Sequence, residues 1–171
     1  MESQNINMSL QEYLKMKTIS LPYNGYWEKE KLPTYSGIYY VFATKFTKEG
    51  KLTDKRLIYI GEAGNIRERH NGTKEKPTEH EHLQDFIDAL QEGEELRYST
   101  SKFEGSEKER KMIESAMIYA IKPDINCKNT VTYNDEPIRI DVEGTVSAFP
   151  PYKKIQLIKG SEGEWKTLKQ K

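Results

Sequence analysis

The 171-residue chain holds a single cysteine, Cys127. An intramolecular disulfide and a cysteine-built zinc site are therefore excluded, and a reducing compartment fits. No apolar run approaches the ~20 residues that span a bilayer. The opening MESQNINMSLQEYL has no long apolar core of the signal-peptide kind. The expected setting is cytoplasmic, without a membrane partner. Net charge is missing too, because 27 basic and 27 acidic residues cancel. Nucleic-acid binders are often basic overall, so bulk charge does not point to that class. Hydrophobic residues make up 35%. That suffices for one modest core if loops and termini are long and polar.

Charge is less even locally. Residues 45–56 carry five basic and two acidic side chains, and residues 151–171 carry six lysines and two glutamates. Residues 82–100 and 124–150 are acidic and offset them. Two readings stand: one face of positive potential, or an ordinary mixed surface.

There is no internal repeat or low-complexity tract. Residues 1–35 are polar, with Tyr23, Tyr26 and Trp27 ahead of Pro33, and read as an arm packing its aromatics on a domain that starts near Ser36. Gly37 to Ala43 and Leu57 to Gly61 are rich in β-branched and aromatic residues and read as strands. Lys48, Glu49 and Gly50 between them suggest a turn, giving a hairpin with a long basic tip. Gly64 to His70 reads as a short helix. Leu83, Phe86, Ile87 and Leu90 follow amphipathic helical spacing, closed by Gly93. Leu96, Tyr98 and Thr100 alternate as a third strand. Ser106 with Glu109 forms a capping box for a helix running to Ile121, which Pro123 stops. Ile138 to Val142 and Lys154 to Ile158 read as short strands of a second small sheet.

Two features carry chemistry. The first is a pair of tyrosines on adjacent strands, in Gly37-Ile38-Tyr39 and Tyr59-Ile60-Gly61, where cross-strand neighbours on one face approach closely. The second is Glu114, which projects into the apolar stripe of its helix, between Ile118 and Ile121. A buried carboxylate is costly unless it is paired or metal-bound. Helical geometry leaves both options open: a salt bridge to Arg110 one turn earlier, or a hard oxygen ligand for Mg²⁺.

The string Ser36-Gly37-Ile38-Tyr39, followed by Leu57-Ile58-Tyr59-Ile60-Gly61-Glu62-Ala63-Gly64-Asn65-Ile66-Arg67-Glu68-Arg69, resembles the signature of the GIY-YIG nucleases. Arg69 stands ten residues after Tyr59, and Asn126 stands twelve after Glu114, following Lys122-Pro123. The resemblance covers residues 36–127. It implies that Tyr39 and Tyr59 line the site and that one of them activates or orients the attacking water. It implies that Arg69 holds the scissile phosphate, that Glu114 binds the metal (Mg²⁺ or Mn²⁺), and that Asn126 braces the site. Gly61 would allow a close approach beside the phosphate. A divalent cation and a guanidinium would together stabilise the charge of the transition state. A phenol is a poor base at neutral pH, and a nearby cation improves it.

The chain also departs from the family pattern. Glu62 replaces the common lysine after the YIG motif. Thr73 stands where many members have histidine or tyrosine, so that role falls to His70 or His82, or is absent. Nineteen residues separate Tyr39 from Tyr59, a long insertion that resembles restriction-type members.

The expected fold is therefore α+β: a small three-stranded antiparallel sheet flanked by helices, with extra short C-terminal strands. The expected organisation is an arm at 1–35, a nuclease-like core at 36–127 and a β-rich extension at 128–171. The expected function is metal-dependent hydrolysis of DNA phosphodiester bonds, of restriction, phage or repair type. The alternative is a nucleic-acid-binding module of the same fold without catalysis. DNA is the expected partner, and a homodimer is among the oligomeric states left open. Lys45, Lys48, Lys51, Lys55 and Arg56, with Lys153, Lys154 and Lys159, are expected to contact phosphates outside the centre.

Overall fold

In a computed structural model, the described residues are 16–126, 130–144 and 148–171. Residues 1–15 of the expected arm, and Cys127, lie outside them. Within the segment read as an arm, Lys17–Trp27 forms a strand, β1. It turns Ile19, Leu21 and Tyr23 inward and Thr18, Ser20 and Pro22 outward, the period of two that one buried face requires. Gly37–Phe46 is β2, Leu52–Ala63 is β3 and Glu95–Lys102 is β4. Ile138–Gly144, Lys154–Lys159 and Trp165–Gln170 are β5, β6 and β7.

These strands form one seven-stranded sheet in the order β3-β2-β4-β1-β5-β6-β7. β1 pairs antiparallel with β4 and parallel with β5. The expected α+β fold, a small three-stranded antiparallel sheet flanked by helices, is thereby corrected: the sheet is mixed and curled, and strand outweighs helix. β1 is the physical reason. It fills the gap between β4 and β5, so the strands expected as a separate C-terminal sheet continue the first one.

Among the described residues, three α-helices cover this sheet: Ile66–Asn71 (α1), Leu83–Asp88 (α2) and Glu107–Ile121 (α3). The capping box starts α3. Ser106 Oγ accepts the Glu109 N–H at 3.1 Å, and Glu109 Oε1 accepts the Ser106 N–H at 3.2 Å. Lys122 ends it in a left-handed conformation, φ 54°, and Pro123 cannot continue it. Met112, Ile113, Ala116 and Met117 of α3 pack against Tyr40 and Ile60 and also against Ile140 and Ile155. One helix thus covers both halves of the sheet. At ~1.5–3 kcal/mol per large buried apolar side chain, this shared core holds the halves together. On the opposite face, Ile66 of α1 and Phe86 of α2 pack against Tyr39, Val41, Ile58 and Tyr98. Helix α2 stops at Asp88, so Ile87, expected to face inward, is 47% exposed.

β3 is an edge strand. Val41 pairs with Tyr59 while Phe42 pairs with Leu57, so Ile58 is an extra residue in the ladder. This bulge re-aims the strand: Ile58 and Tyr59 both pack on the α1–α2 side, the side of Tyr39. Among the described residues, no helix is long and apolar enough to cross a membrane.

If one core joins the halves, they unfold together. Trp27 ends β1 and Trp165 begins β7, so Trp165→Phe and Trp27→Phe variants report on separate ends of the sheet. Urea denaturation followed by tryptophan fluorescence is expected to give coincident midpoints in the two variants. Leu21→Ala, at a position 1% exposed, is expected to cost ~2–5 kcal/mol in both backgrounds. Separate midpoints would show that the halves fold independently.

Candidate functional site

A cavity of about 620 Å³ opens along β3. The five residues that carry the sequence resemblance all line it: Tyr39 from β2, Tyr59 from β3, Arg69 from α1, Glu114 from α3 and Asn126 from the loop after α3. Glu62, Glu81, His82 and Lys111 add charged or polar walls.

The strand register builds the tyrosine pair. Tyr39 lies opposite Gly61, and Val41 lies opposite Tyr59, so both tyrosines rise from one face. Their rings stack with centroids 6.2 Å apart and planes at 23°. A Cβ on Gly61 would overlap the Tyr39 ring. The glycine is therefore needed because a phenol crosses its Cα, a more specific reason than proximity to a phosphate.

Asn126 is spent on the backbone of β3. Its Oδ1 accepts the Ile60 N–H at 2.9 Å, and its Nδ2 donates to the Ile60 carbonyl at 2.9 Å. The Ile125 N–H donates to the Ile58 carbonyl at 3.0 Å. The loop after α3 thus closes an edge that would otherwise present unpaired donors and acceptors. Asn126 positions Tyr59 and Gly61 by fixing the residue between them.

Arg110, considered above as a partner for Glu114, donates through Nε to Glu62 Oε2 at 2.9 Å and through Nη1 to the Gly105 carbonyl at 3.3 Å. Both side chains of the Glu62 pair are under 15% exposed. The negative charge that Glu62 brings beside the motif is met by this guanidinium. Glu114 sits half-buried on α3. Arg69, also half-buried, donates through Nη2 to Glu81 Oε1 at 2.9 Å.

The histidines divide differently from expectation. His80, which the sequence did not single out, is 3% exposed and places Nε2 2.7 Å from Tyr39 Oη. The His82 backbone N–H donates to His80 Nδ1 at 3.0 Å. Nδ1 is then an acceptor, so the neutral ring carries its proton on Nε2 and donates it to Tyr39. His70 is packing: it stacks on His80 at 4.8 Å and meets Tyr39 edge-on at 4.5 Å. Neither of its ring nitrogens makes a hydrogen bond among the described residues. His82 lines the cavity and pairs its Nδ1 with Asp85 at 3.0 Å. The tripeptide His80-Glu81-His82 was a readable signal, since two histidines flank the carboxylate that meets Arg69.

Burial, reinforced by the Arg69 charge, lowers both His70 and His80 to about 3. Burial also raises Tyr39, reinforced by Tyr59, and raises Tyr59, reinforced by Glu114, while Arg69 pulls both down. In the free protein both tyrosines are neutral phenols at neutral pH. Among the described residues no group of three or more His, Cys, Asp or Glu is arranged to hold a metal.

The buried histidines make stability pH-dependent. Between about 3 and ~6.5 the unfolded chain binds protons on these imidazoles and the folded chain does not. Stability therefore rises with pH through that window and is lost as pH falls. The carboxylates whose values are lowered titrate below ~4.5 in the unfolded chain, so the interval from ~6.5 to ~4.5 belongs to histidine. The melting temperature is expected to fall across that interval, and His70→Phe is expected to flatten the fall. A profile level from pH 7 to 4.5 would contradict the neutral, buried state of these rings.

No protein-family model, no curated protein and no solved structure matches this chain.

Proposed function

We propose that this chain is a metal-dependent endonuclease of the GIY-YIG type, hydrolysing phosphodiester bonds in DNA. One observation carries the reading. Four secondary-structure elements and a loop, spread from residue 39 to residue 126, bring Tyr39, Tyr59, Arg69, Glu114 and Asn126 to a single cavity. These side-chain types suit an anionic substrate attacked by water.

Glu114 and its surroundings fit a magnesium or manganese ion. Such an ion takes one or two carboxylates and completes its shell with water and substrate oxygens, so a single carboxylate in a polar cavity is an adequate protein share. When bound, the ion would supply Lewis-acid stabilisation of the phosphate charge. Glu114 would hold it. Arg69 would bind the scissile phosphate and balance the charge that develops on its oxygens. Tyr39 would orient the attacking water. Its hydroxyl oxygen accepts the His80 N–H, which fixes the phenol and favours negative charge on it. Tyr59 stacks beside it and faces the same cavity. Asn126 holds the strand that carries Tyr59.

Glu81 occupies the guanidinium that a phosphate would need. Its side chain is 67% exposed, so it can swing out as substrate enters.

The reading is checked by cleavage of supercoiled plasmid in Mg²⁺. Glu114→Ala is expected to abolish cleavage with little change in melting temperature. Tyr39→Phe and Tyr59→Phe are each expected to slow it, by about 10²–10⁴-fold where proton transfer is lost. Wild-type rates in all three variants would remove the assignment of the centre to this cavity, and a wild type that does not cut would remove the nuclease assignment.

A second measurement isolates Glu81. Glu81→Gln is expected to lower KM for DNA by up to about fivefold, the scale of an exposed ion pair, with kcat unchanged. A higher KM would mean that Glu81 helps to bind substrate and does not block Arg69.

A further inference from the structure

A second concavity, of about 560 Å³, lies on the same edge of β3, nearer the hairpin turn. Lys55, Lys122 and Lys171 surround it, and Tyr152 contributes to its wall. Among the described residues that line it, Asp124 is the one acidic side chain, and that carboxylate pairs with Arg56 at 3.5 Å. The groove therefore keeps an excess of positive charge. Lys171 makes no ion pair among the described residues. Lys55 Nζ donates to Tyr26 Oη at 2.6 Å and to the Phe149 carbonyl at 3.1 Å, and an ammonium has a third N–H to give.

The groove adjoins the cavity along the β3 edge. Leu57 borders the groove and Tyr59 borders the cavity, two residues along one strand. Pro123 and Asp124 border the groove, and Ile125 and Asn126 border the cavity. At ~3.3 Å per residue, Lys55 lies ~13 Å along the strand from Tyr59. A polyanion leaving the cavity in this direction meets the lysines within a few nucleotides.

Phe149, the residue before the groove-lining Pro150, carries an aromatic ring that the fold does not bury. Phe149 is 63% exposed, and Lys55 pins its carbonyl beside the groove. Exposed aromatics interleaved with lysines bind single strands, because unpaired bases stack on rings and phosphates pair with ammonium groups. In a duplex the bases are stacked on one another and take up such a ring only at the cost of unstacking a base step.

We infer that this groove binds a single-stranded stretch of the nucleic acid held in the cavity, with phosphates on Lys55, Lys122 and Lys171 and a base stacked on Phe149. The inference rests on the reading of the cavity as a cleavage centre, and it extends that reading to the form of the substrate: a duplex with a single-stranded branch or end.

The test uses the full chain in EDTA, so that nothing is cut, with a fluorescein-labelled 20-nucleotide single strand and its duplex as probes. Phe149→Ala is expected to weaken single-strand binding by about fivefold or more and to leave duplex binding unchanged. Lys171→Glu is expected to weaken single-strand binding and to lower its salt slope by ~0.7 for the lost phosphate contact. Both residues lie at the surface, and circular dichroism verifies that the variants fold. Single-strand affinity within twofold of wild type in either variant overturns the inference, as does an equal loss on duplex in Phe149→Ala. Plasmid cleavage in Mg²⁺ is scored separately. A wild type that cuts while the groove variants bind normally loses only the groove. A wild type that binds single strands through the groove and never cuts keeps the groove and loses the nuclease assignment.

Discussion

Two hydrogen bonds between the Asn126 amide and the backbone of Ile60 hold the edge on which the site is built. An amide side chain sets an N–H donor beside a carbonyl acceptor, as a peptide unit does. Asn126 therefore acts as one residue of a missing neighbour strand. Aspartate at this position would lack the donor, and leucine would lack both groups. Ile60 has Tyr59 on one side and Gly61 on the other, so fixing its backbone fixes the tyrosine and the gap that the Tyr39 ring enters. The same loop begins where the left-handed Lys122 and Pro123 end α3, and α3 brings Glu114. One capped helix, one turn and one amide thus set Glu114 against the tyrosine pair.

Charge in the cavity follows from what surrounds each group. The cavity is lined by Glu62, Glu81 and Glu114 against Arg69 and Lys111. Two of the carboxylates meet guanidinium groups: Glu62 meets Arg110, and Glu81 meets Arg69. The first pair is largely buried and so is part of the fold, since removing either partner would strand a desolvated charge. The second is exposed on the acid side and is worth at most ~1 kcal/mol, so a phosphate with a divalent cation can displace it. His80 works on a smaller scale. Its tautomer is dictated by a backbone N–H two residues on, and that choice decides that Tyr39 accepts a hydrogen bond there.

The tyrosine strands, the capping box and the helix carrying Glu114 were legible in the sequence because each rests on local rules: period two, a four-residue cap, a proline stop. β1 is equally periodic in Ile19, Leu21 and Tyr23, but polar residues at every second position make a one-sided strand resemble a polar arm. Its consequence was non-local. No spacing within Lys17–Trp27 announces that it pairs with β4 on one side and β5 on the other, and without that the C-terminal strands look like a separate sheet. His80 was missed for a similar reason. Its partner Tyr39 lies 41 residues away, and only the folded chain joins them. The geometric reason for Gly61 also needed the fold, because it depends on a ring arriving from the neighbouring strand.

The basic residues of the hairpin divide by what they already hold. Arg56 donates to the Ala89 carbonyl and to Glu94, both at 2.9 Å, tying β3 to the segment before β4. Lys55 ties β3 to Tyr26 and Phe149. Lys48 and Lys51 remain exposed at the turn. From Tyr39 to Phe46 the strand runs ~23 Å at ~3.3 Å per residue. That length equals about seven base pairs at ~3.4 Å each. On the proposed reading, the turn lysines therefore act only on a duplex that extends at least that far from the scissile bond, whereas the groove at Lys55 meets the first few nucleotides. A short branched substrate and a long duplex would then draw on different lysines of the same strand, and neutral net charge conceals both.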